Sequence, residues 1–238
     1  MNTRGFFKTL SSLSLMVLIS PYLHSQDIQG LMKRVKAKLE LVNDYEAVGM
    51  LKTDVPFMKV PESKVSVYYK KPDKFKIRKE EGISIVPKGG FSINLNSLFT
   101  GNDYTMIPAG TTNMQGKQLM IVKLLPLKED NEVVLSTLYI DEKEALIYKA
   151  NTTTKNNGTY EMEMSYGRFA KWGLPDKMLF SFNTKEYKLP KGVTFEYETD
   201  QKEEVESKSK NQKGKVEITY QNYFINKGIQ DNVFSVTK

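Results

Sequence analysis

The chain of 238 residues contains no cysteine, and its single histidine is His24. Without cysteine it forms no disulfide, carries no cysteine-linked lipid anchor and offers no thiolate to a metal or a substrate. His24 lies in a segment with the pattern of a cleavable signal, so the mature protein would have no imidazole either. This excludes Ser-His-Asp triads, cysteine nucleophiles and zinc or iron sites ligated by His or Cys. The fold must therefore rely on a hydrophobic core.

The apolar run at residues 10–19 is too short to cross a bilayer as a helix. Arg4 and Lys8 precede it and the small residue Ser25 follows, which is the order of a secretory signal peptide and its cleavage site. We therefore predict that cleavage near Ser25 leaves residues 26–238 as a soluble, exported protein. The alternative is an N-terminal membrane anchor that is never removed.

The charge of the chain is only mildly basic. Removing residues 1–25 takes away two cations and no acid, so the formal charge falls from +7 to +5. Acids and bases alternate along most of the remaining chain, whereas nucleic-acid binding usually depends on clustered lysine and arginine. We therefore expect no nucleic-acid partner.

The residues after the predicted signal repeat with the period of a helix. Lysines and Glu40 would occupy one side of that helix. The opposite side would be formed by apolar residues at steps of three and four, namely Ile28, Leu31, Met32, Val35, Leu39 and Val42. The spacing predicts one amphipathic helix over Ile28–Val42. A helix of this length extends only about 22 Å.

From Tyr45 onward the period changes to two, which is typical of β-strands with one apolar face. The alternating segments are 65–69, 75–77, 160–166, 178–182, 193–197 and 216–220. Turn residues separate them at hairpin-length spacing, which predicts one α+β, mainly β domain with an antiparallel sheet. Because the helix is too short to cover that sheet, the sheet must curl into a barrel or half-barrel, or leave a cavity for a ligand. The stretch 201–215 is almost free of apolar residues and is expected to be a charged, solvated loop.

Enzymatic chemistry has little support in the sequence. Glu161 and Glu163 lie two apart on one strand and could form a hydrolase pair, but they occupy its polar side, where ordinary solvated carboxylates are expected. Asp141–Glu144 lacks the ligand spacing of a calcium loop and is expected to be a hairpin turn. Glycine-rich phosphate motifs are absent. We therefore predict a non-enzyme without a cofactor or metal.

Several segments in order resemble the periplasmic outer-membrane lipoprotein carriers, the LolA-like family of the LolA/LolB half-barrel superfamily. The likeness lies in the signal, the helix, and then Tyr45–Ala47, Val67–Ile77 (VYYKKPDKFKI), Leu138–Asp141, Ile147–Tyr148, Leu174–Asp176 and Tyr223–Ile229 before Asp231 and Phe234. The resemblance implies an incomplete barrel whose concave apolar face, under a helical lid, takes the acyl chains of a lipoprotein. It also implies an inner-membrane exporter and an outer-membrane acceptor as partners, and we expect a monomer.

The expected ligand-binding residues combine this resemblance with the alternation of the strands. They are Met32, Val35, Val67, Tyr69, Lys71, Phe75, Ile77, Tyr160, Met162, Met164, Phe180 and Phe182. Lys71 precedes Pro72 at the place where the best-known carriers have an arginine that latches the lid; lysine lacks the planar fork needed for a bidentate bond. On the other face, Lys70, Lys74, Lys76 and Arg78 are expected to keep the sheet soluble.

Two other functions remain open at this point. A sensor of the same fold would bind a lipid or a misfolded envelope component and pass a signal to a membrane partner. A carboxylate hydrolase would depend on Glu161 and Glu163. The sensor shares the cavity with the carrier and differs from it only in its partner.

Overall fold

The computed structural model describes residues 27–55, 58–59, 61–79, 104–128, 131–156, 158–183 and 213–235. The predicted signal peptide and the segments 193–197 and 201–212 lie outside the described residues. Lys213–Lys215, which we expected at the end of a charged loop, instead open the last strand and pair with its neighbour. The loop prediction was therefore too long at its C-terminal end, because lysines can alternate with inward-facing residues in a strand that pairs with its neighbours.

The described chain forms one α-helix, eleven β-strands and two short 3₁₀ helices. The helix α1 is Ile28–Leu39, and the strands are β1 Asp44–Val55, β2 Met58–Lys59, β3 Ser63–Lys70, β4 Lys74–Lys79, β5 Tyr104–Met114, β6 Lys117–Pro126, β7 Val133–Asp141, β8 Leu146–Thr154, β9 Thr159–Ser165, β10 Lys177–Asn183 and β11 Lys213–Ile225. The 3₁₀ helices are Ala170–Trp172 and Asp231–Phe234.

All strands belong to one antiparallel sheet. Ten of them follow the order β4-β3-β1-β11-β10-β9-β8-β7-β6-β5, and β2 pairs with β1. Among the described residues no ladder joins the two end strands, β4 and β5, so the barrel is incomplete. The predicted fold class, an open antiparallel half-barrel with an N-terminal helix, is confirmed.

Helix α1 ends three residues before the predicted end at Val42. Asp27 caps its start by accepting a hydrogen bond from the Gly30 amide at 2.8 Å. At the other end the amides of Leu41 and Val42 bond to carbonyls only three residues back, which tightens the chain into a turn. Val42 still enters the core from this turn, and that is why the apolar spacing overestimated the helix.

One face of the sheet forms the main core together with α1. In β3, Val65, Val67 and Tyr69 are buried while Ser66 and Tyr68 are partly exposed, as the alternation predicted. We call the side chains that join this core from the sheet the inner face, and those of the opposite side the outer face. A second, smaller cluster contains Leu119, Leu146 and Tyr148.

Buried tyrosines line the inner face beside the end of α1. The ring of Tyr45 lies 5.4 Å from that of Tyr69 and 5.3 Å from that of Tyr223, whose own ring is 4.9 Å from Tyr220. Burial raises the pKa of Tyr45, Tyr220 and Tyr223 above that of an exposed tyrosine. Ionising any of them would place a phenolate in an apolar environment.

These tyrosines should make the fold sensitive to alkali. In the unfolded chain they ionise near pH 10, and in the folded chain only at higher pH, so the stability they provide is complete below pH 10 and is lost as the pH rises above it. Each tyrosine should lower the free energy of unfolding by about 1.4 kcal/mol per pH unit in that range. Thermal melting followed by circular dichroism tests this. Tyr220→Phe should make the decline less steep, and an unchanged slope would contradict the assignment.

Candidate functional site

The structure brings eleven of the twelve predicted ligand-binding residues into one apolar cluster. Phe75 and Phe182 are partly buried at its margin, and nine others are buried within it, namely Met32, Val35, Val67, Tyr69, Ile77, Tyr160, Met162, Met164 and Phe180. The twelfth, Lys71, lies in the turn between β3 and β4 and is partly exposed. Their common location follows from the alternation of the strands, whereas their role in binding stays a prediction.

Methionine and aromatic residues form cross-strand rows on the inner face. Phe180 of β10 faces Met162 of β9, and Phe182 faces Tyr160. The ring of Phe180 lies 5.3 Å from Tyr160 and 5.6 Å from Phe182. On the other side of Phe182 stands Gly214, where an added Cβ would lie only 2.5 Å from the ring. The missing side chain therefore makes room for the aromatic ring at this end of the sheet.

The margins of the inner face are less buried than its centre. Tyr104 and Met106 on the end strand β5 pack against the core but remain partly exposed, as Phe75 does near the opposite end of the sheet. The sequence prediction missed Tyr104 and Met106, although their two-residue spacing in DYTM was the available signal. Partly exposed apolar side chains on a concave sheet are the places where an apolar ligand gains contact at least cost.

Helix α1 covers only part of the inner face. Its twelve residues extend about 18 Å, whereas ten strands span about 43 Å across the sheet. Its buried residues are Leu31, Met32 and Val35. Beside it, a cavity of about 10 Å³ is lined by Val35, Lys38, Leu39, Ala145, Leu146, Ile147, Tyr166 and Gly173. That volume holds about one water molecule, so an alkyl chain can enter between α1 and these residues only if the helix moves.

Lys71 fastens the C-terminal end of α1. Its ammonium donates to the Glu40 carbonyl at 2.9 Å, to the Glu40 carboxylate at 2.6 Å and to the Asn43 side-chain oxygen at 3.4 Å. Lys71, which stands where the best-known carriers have a latching arginine, thus contacts the end of this helix. A lysine achieves it as a single donor group instead of through the planar fork of arginine.

The turn between β7 and β8 contacts the C-terminal half of α1. Arg34 donates to the carbonyl of Glu142 at 2.7 Å, and Lys38 donates to the carbonyl of Glu144. Asp141 shapes this turn by accepting the amides of Lys143 and Glu144, as expected of a hairpin turn. Burial raises the pKa of Asp141, but these hydrogen bonds and that of Lys117 outweigh burial and leave the pKa below its usual value. The contacts of α1 with the sheet ends are thus polar and partly exposed.

Glu161 and Glu163 share one cation. The ammonium of Lys149 lies 2.7 Å from the Glu161 carboxylate and 3.3 Å from that of Glu163. Partial burial raises the pKa of Glu161, but the hydrogen bonds with Lys149 and Glu163 and the nearby positive charges of Lys149 and Lys213 together outweigh burial and leave the pKa below its usual value. A general acid needs a raised pKa, so this arrangement gives no support to a hydrolase. The described residues also contain no cluster of carboxylates able to hold a metal ion.

We had expected the outer lysines to be simply solvated. Three of them instead have partners within the chain. Lys70 and Lys74 both form ion pairs with Asp231, at 2.7 and 2.9 Å. Lys76 donates to the carbonyls of Val233 and Ser235 at 2.9 and 2.6 Å. Hydrogen bonds from Lys70 and Lys74 lower the pKa of Asp231 to about 2. The C-terminal residues therefore lie across the outer face of β3 and β4.

Two solved structures share this fold. A LolA superfamily protein from Nitrosomonas europaea has a TM-score of 0.53 and 11% identity, with 86% of this chain and 97% of that chain covered. A DUF1329 family protein from Desulfovibrio piger has a TM-score of 0.51 and 12% identity, with 87% and 95% covered. Neither a protein-family model nor a curated protein matches the chain. The predicted resemblance is confirmed for the fold, which by itself does not define a function. In the described residues, no helix combines the length and apolar character required to traverse a membrane.

Proposed function

We propose that the protein is a periplasmic carrier that binds the acyl chains of a lipoprotein, or of a similar lipid, on its inner face. The observation that carries this proposal is a ten-stranded apolar face of which one short helix covers only part, and polar contacts fasten that helix at its end and its middle. The similarity in fold to a LolA superfamily protein supports it. On this proposal the predicted ligand-binding residues form the wall, and α1 is the lid.

The burial energies of α1 and of an acyl chain are comparable. Lifting α1 exposes Leu31, Met32 and Val35, which costs about 6 kcal/mol at roughly 2 kcal/mol for each side chain. An acyl chain with a dozen buried methylenes gains about 10 kcal/mol before the costs of association. The gain from burying the chain is thus of the same order as the cost of lifting the helix, and release of the ligand requires another apolar surface as acceptor. This matches the inner-membrane exporter and outer-membrane acceptor that we propose as partners of a monomeric carrier.

The proposed carrier performs no covalent chemistry. Binding depends on the removal of apolar surface from water, which needs no cofactor, metal or general base. Glu161 and Glu163, the strongest candidates for catalysis, both form ion pairs with Lys149 on the outer face. Changing either carboxylate should therefore leave lipid binding unaltered.

Ligand binding should move α1 away from the sheet. Because the chain has no cysteine, Ala37→Cys on α1 and Lys123→Cys on β6 provide two spin-label sites at exposed positions. Adding a long-chain fatty acid should shift the distance between the labels by up to about 10 Å, roughly one helix diameter. Electron double resonance measures this shift. A label pair at Lys52 and Lys123, both on the sheet, is the control and should stay unchanged.

Two results would contradict this proposal. Binding of the fatty acid with an unchanged distance from α1 would show that the helix is not the lid. If the protein binds lipid only while it is in a stable complex with a membrane-bound regulator, the sensor function is favoured over the carrier function.

A further inference from the structure

The outer face of β3 and β4 carries three neighbouring lysines that we call the lysine row, Lys70, Lys74 and Lys76. Lys70 and Lys74 face each other across the two strands, and Lys76 faces Tyr68. Like charges directly opposite each other destabilise a sheet unless an anion or oriented dipoles lie between them. The row therefore calls for a negatively polarised partner.

The C-terminal residues 229–235 are that partner within the chain. Lys70 donates to the Ile229 carbonyl at 2.8 Å and to the Asp231 carboxylate at 2.7 Å. Lys76 contacts the carbonyls of Val233 and Ser235. The oxygens that the row binds thus come from alternate residues of a single peptide. The row binds a polypeptide segment largely through its backbone.

This internal occupant is a weak one. None of the residues 229–235 is buried, and the Asp231 side chain is 64% exposed. Exposed ion pairs of this kind contribute little to stability. The segment also brings only one carboxylate to three ammonium groups, so the row remains cationic when it is occupied.

We propose that the lysine row is a docking site for a short acidic segment of a partner protein, which residues 229–235 occupy until that partner displaces them. An acidic segment would place carboxylates where the carbonyls of Ile229, Val233 and Ser235 now lie. Contacts between a charge and a dipole would become ion pairs, which are stronger. The site lies on the face opposite the lipid wall, so a carrier loaded with lipid can use it.

The experiment uses the full mature chain and a labelled short peptide whose alternate residues are glutamate. Fluorescence anisotropy should show weak binding that falls steeply with salt. Asp231→Lys should free the row by repelling the C-terminal segment and should tighten binding about tenfold, because a larger fraction of the protein is then competent to bind. The double variant Lys70→Glu with Lys76→Glu should lose binding. Lys123→Glu, an exposed charge reversal on β6, is the matched control and should bind as the wild type does.

Other outcomes would overturn the proposal. A peptide with glutamine in place of glutamate that binds equally well would show that charge is not recognised. Unchanged affinity of a folded Asp231→Lys variant would show that residues 229–235 do not compete for the row. Binding to anionic phospholipid vesicles without binding to the peptide would assign the row to a membrane surface instead.

Discussion

Replacing Ile77 with glutamate is expected to destabilise the fold by about 4 kcal/mol, because it places an uncompensated carboxylate in the core. Ile77 is 7% exposed and lies opposite the fully buried Val67. Chemical denaturation of both proteins measures the difference. The neighbouring Arg78→Glu is the matched control; Arg78 is exposed and its guanidinium lies 5.6 Å from the Tyr68 ring, so that loss should be about 1 kcal/mol or less. Equal losses in the two variants would contradict the assignment of the faces.

Lys76 is not a suitable control for that experiment, although the sequence favours it as one. Its ammonium holds the carbonyls of Val233 and Ser235. A charge reversal there would release the C-terminal residues and change two features of the protein at once.

Replacing Met106 with glutamate should abolish lipid binding while the fold persists. Met106 packs against the core from the end strand β5 and is partly exposed, so a glutamate there can reach water without unfolding the sheet. It would still place a charge beside the path of an alkyl chain and should weaken the affinity for a fatty-acid probe at least about a hundredfold. Displacement of an environment-sensitive fatty-acid probe measures this change.

The adjacent residue gives the control for Met106. Thr105 is exposed and, as the next residue of the strand, points to the opposite face. Thr105→Glu should therefore bind the probe with the affinity of the wild type. If Met106→Glu and Thr105→Glu weaken binding equally, the lipid does not lie on the inner face near β5.

The sequence was sufficient to predict the sheet and its two faces because alternation is a local property. Val65, Val67 and Tyr69 are buried as their two-residue spacing predicts, and the same holds for Met162 and Met164 on β9. The order in which the strands pair does not change which residues of a strand face inward. The residues of the inner face could therefore be predicted without knowing which strands lie side by side. The partial exposure of Tyr104 and Met106 could not be predicted from the sequence, because it depends on the position of β5 at the end of the sheet.

Contacts between distant parts of the chain were beyond the sequence. Alternation places Lys70 and Lys76 on the outer face but cannot show what covers them, and their partners lie some 160 residues further along the chain. The end of α1 was misplaced for a related reason, because Val42 joins the core from a turn and keeps the helical spacing. Burial by tertiary contact and burial by helical periodicity look alike in a sequence.

The most direct measurement for a lipid carrier is photo-crosslinking of the purified mature protein with a fatty acid that carries a diazirine on its alkyl chain, followed by peptide mass spectrometry. Our proposal predicts saturable labelling of inner-face residues, in particular Phe75, Met106 and Phe182, and competition by unlabelled fatty acid. Labelling confined to the outer face, or no saturable labelling at all, would contradict the claim that the inner face binds acyl chains.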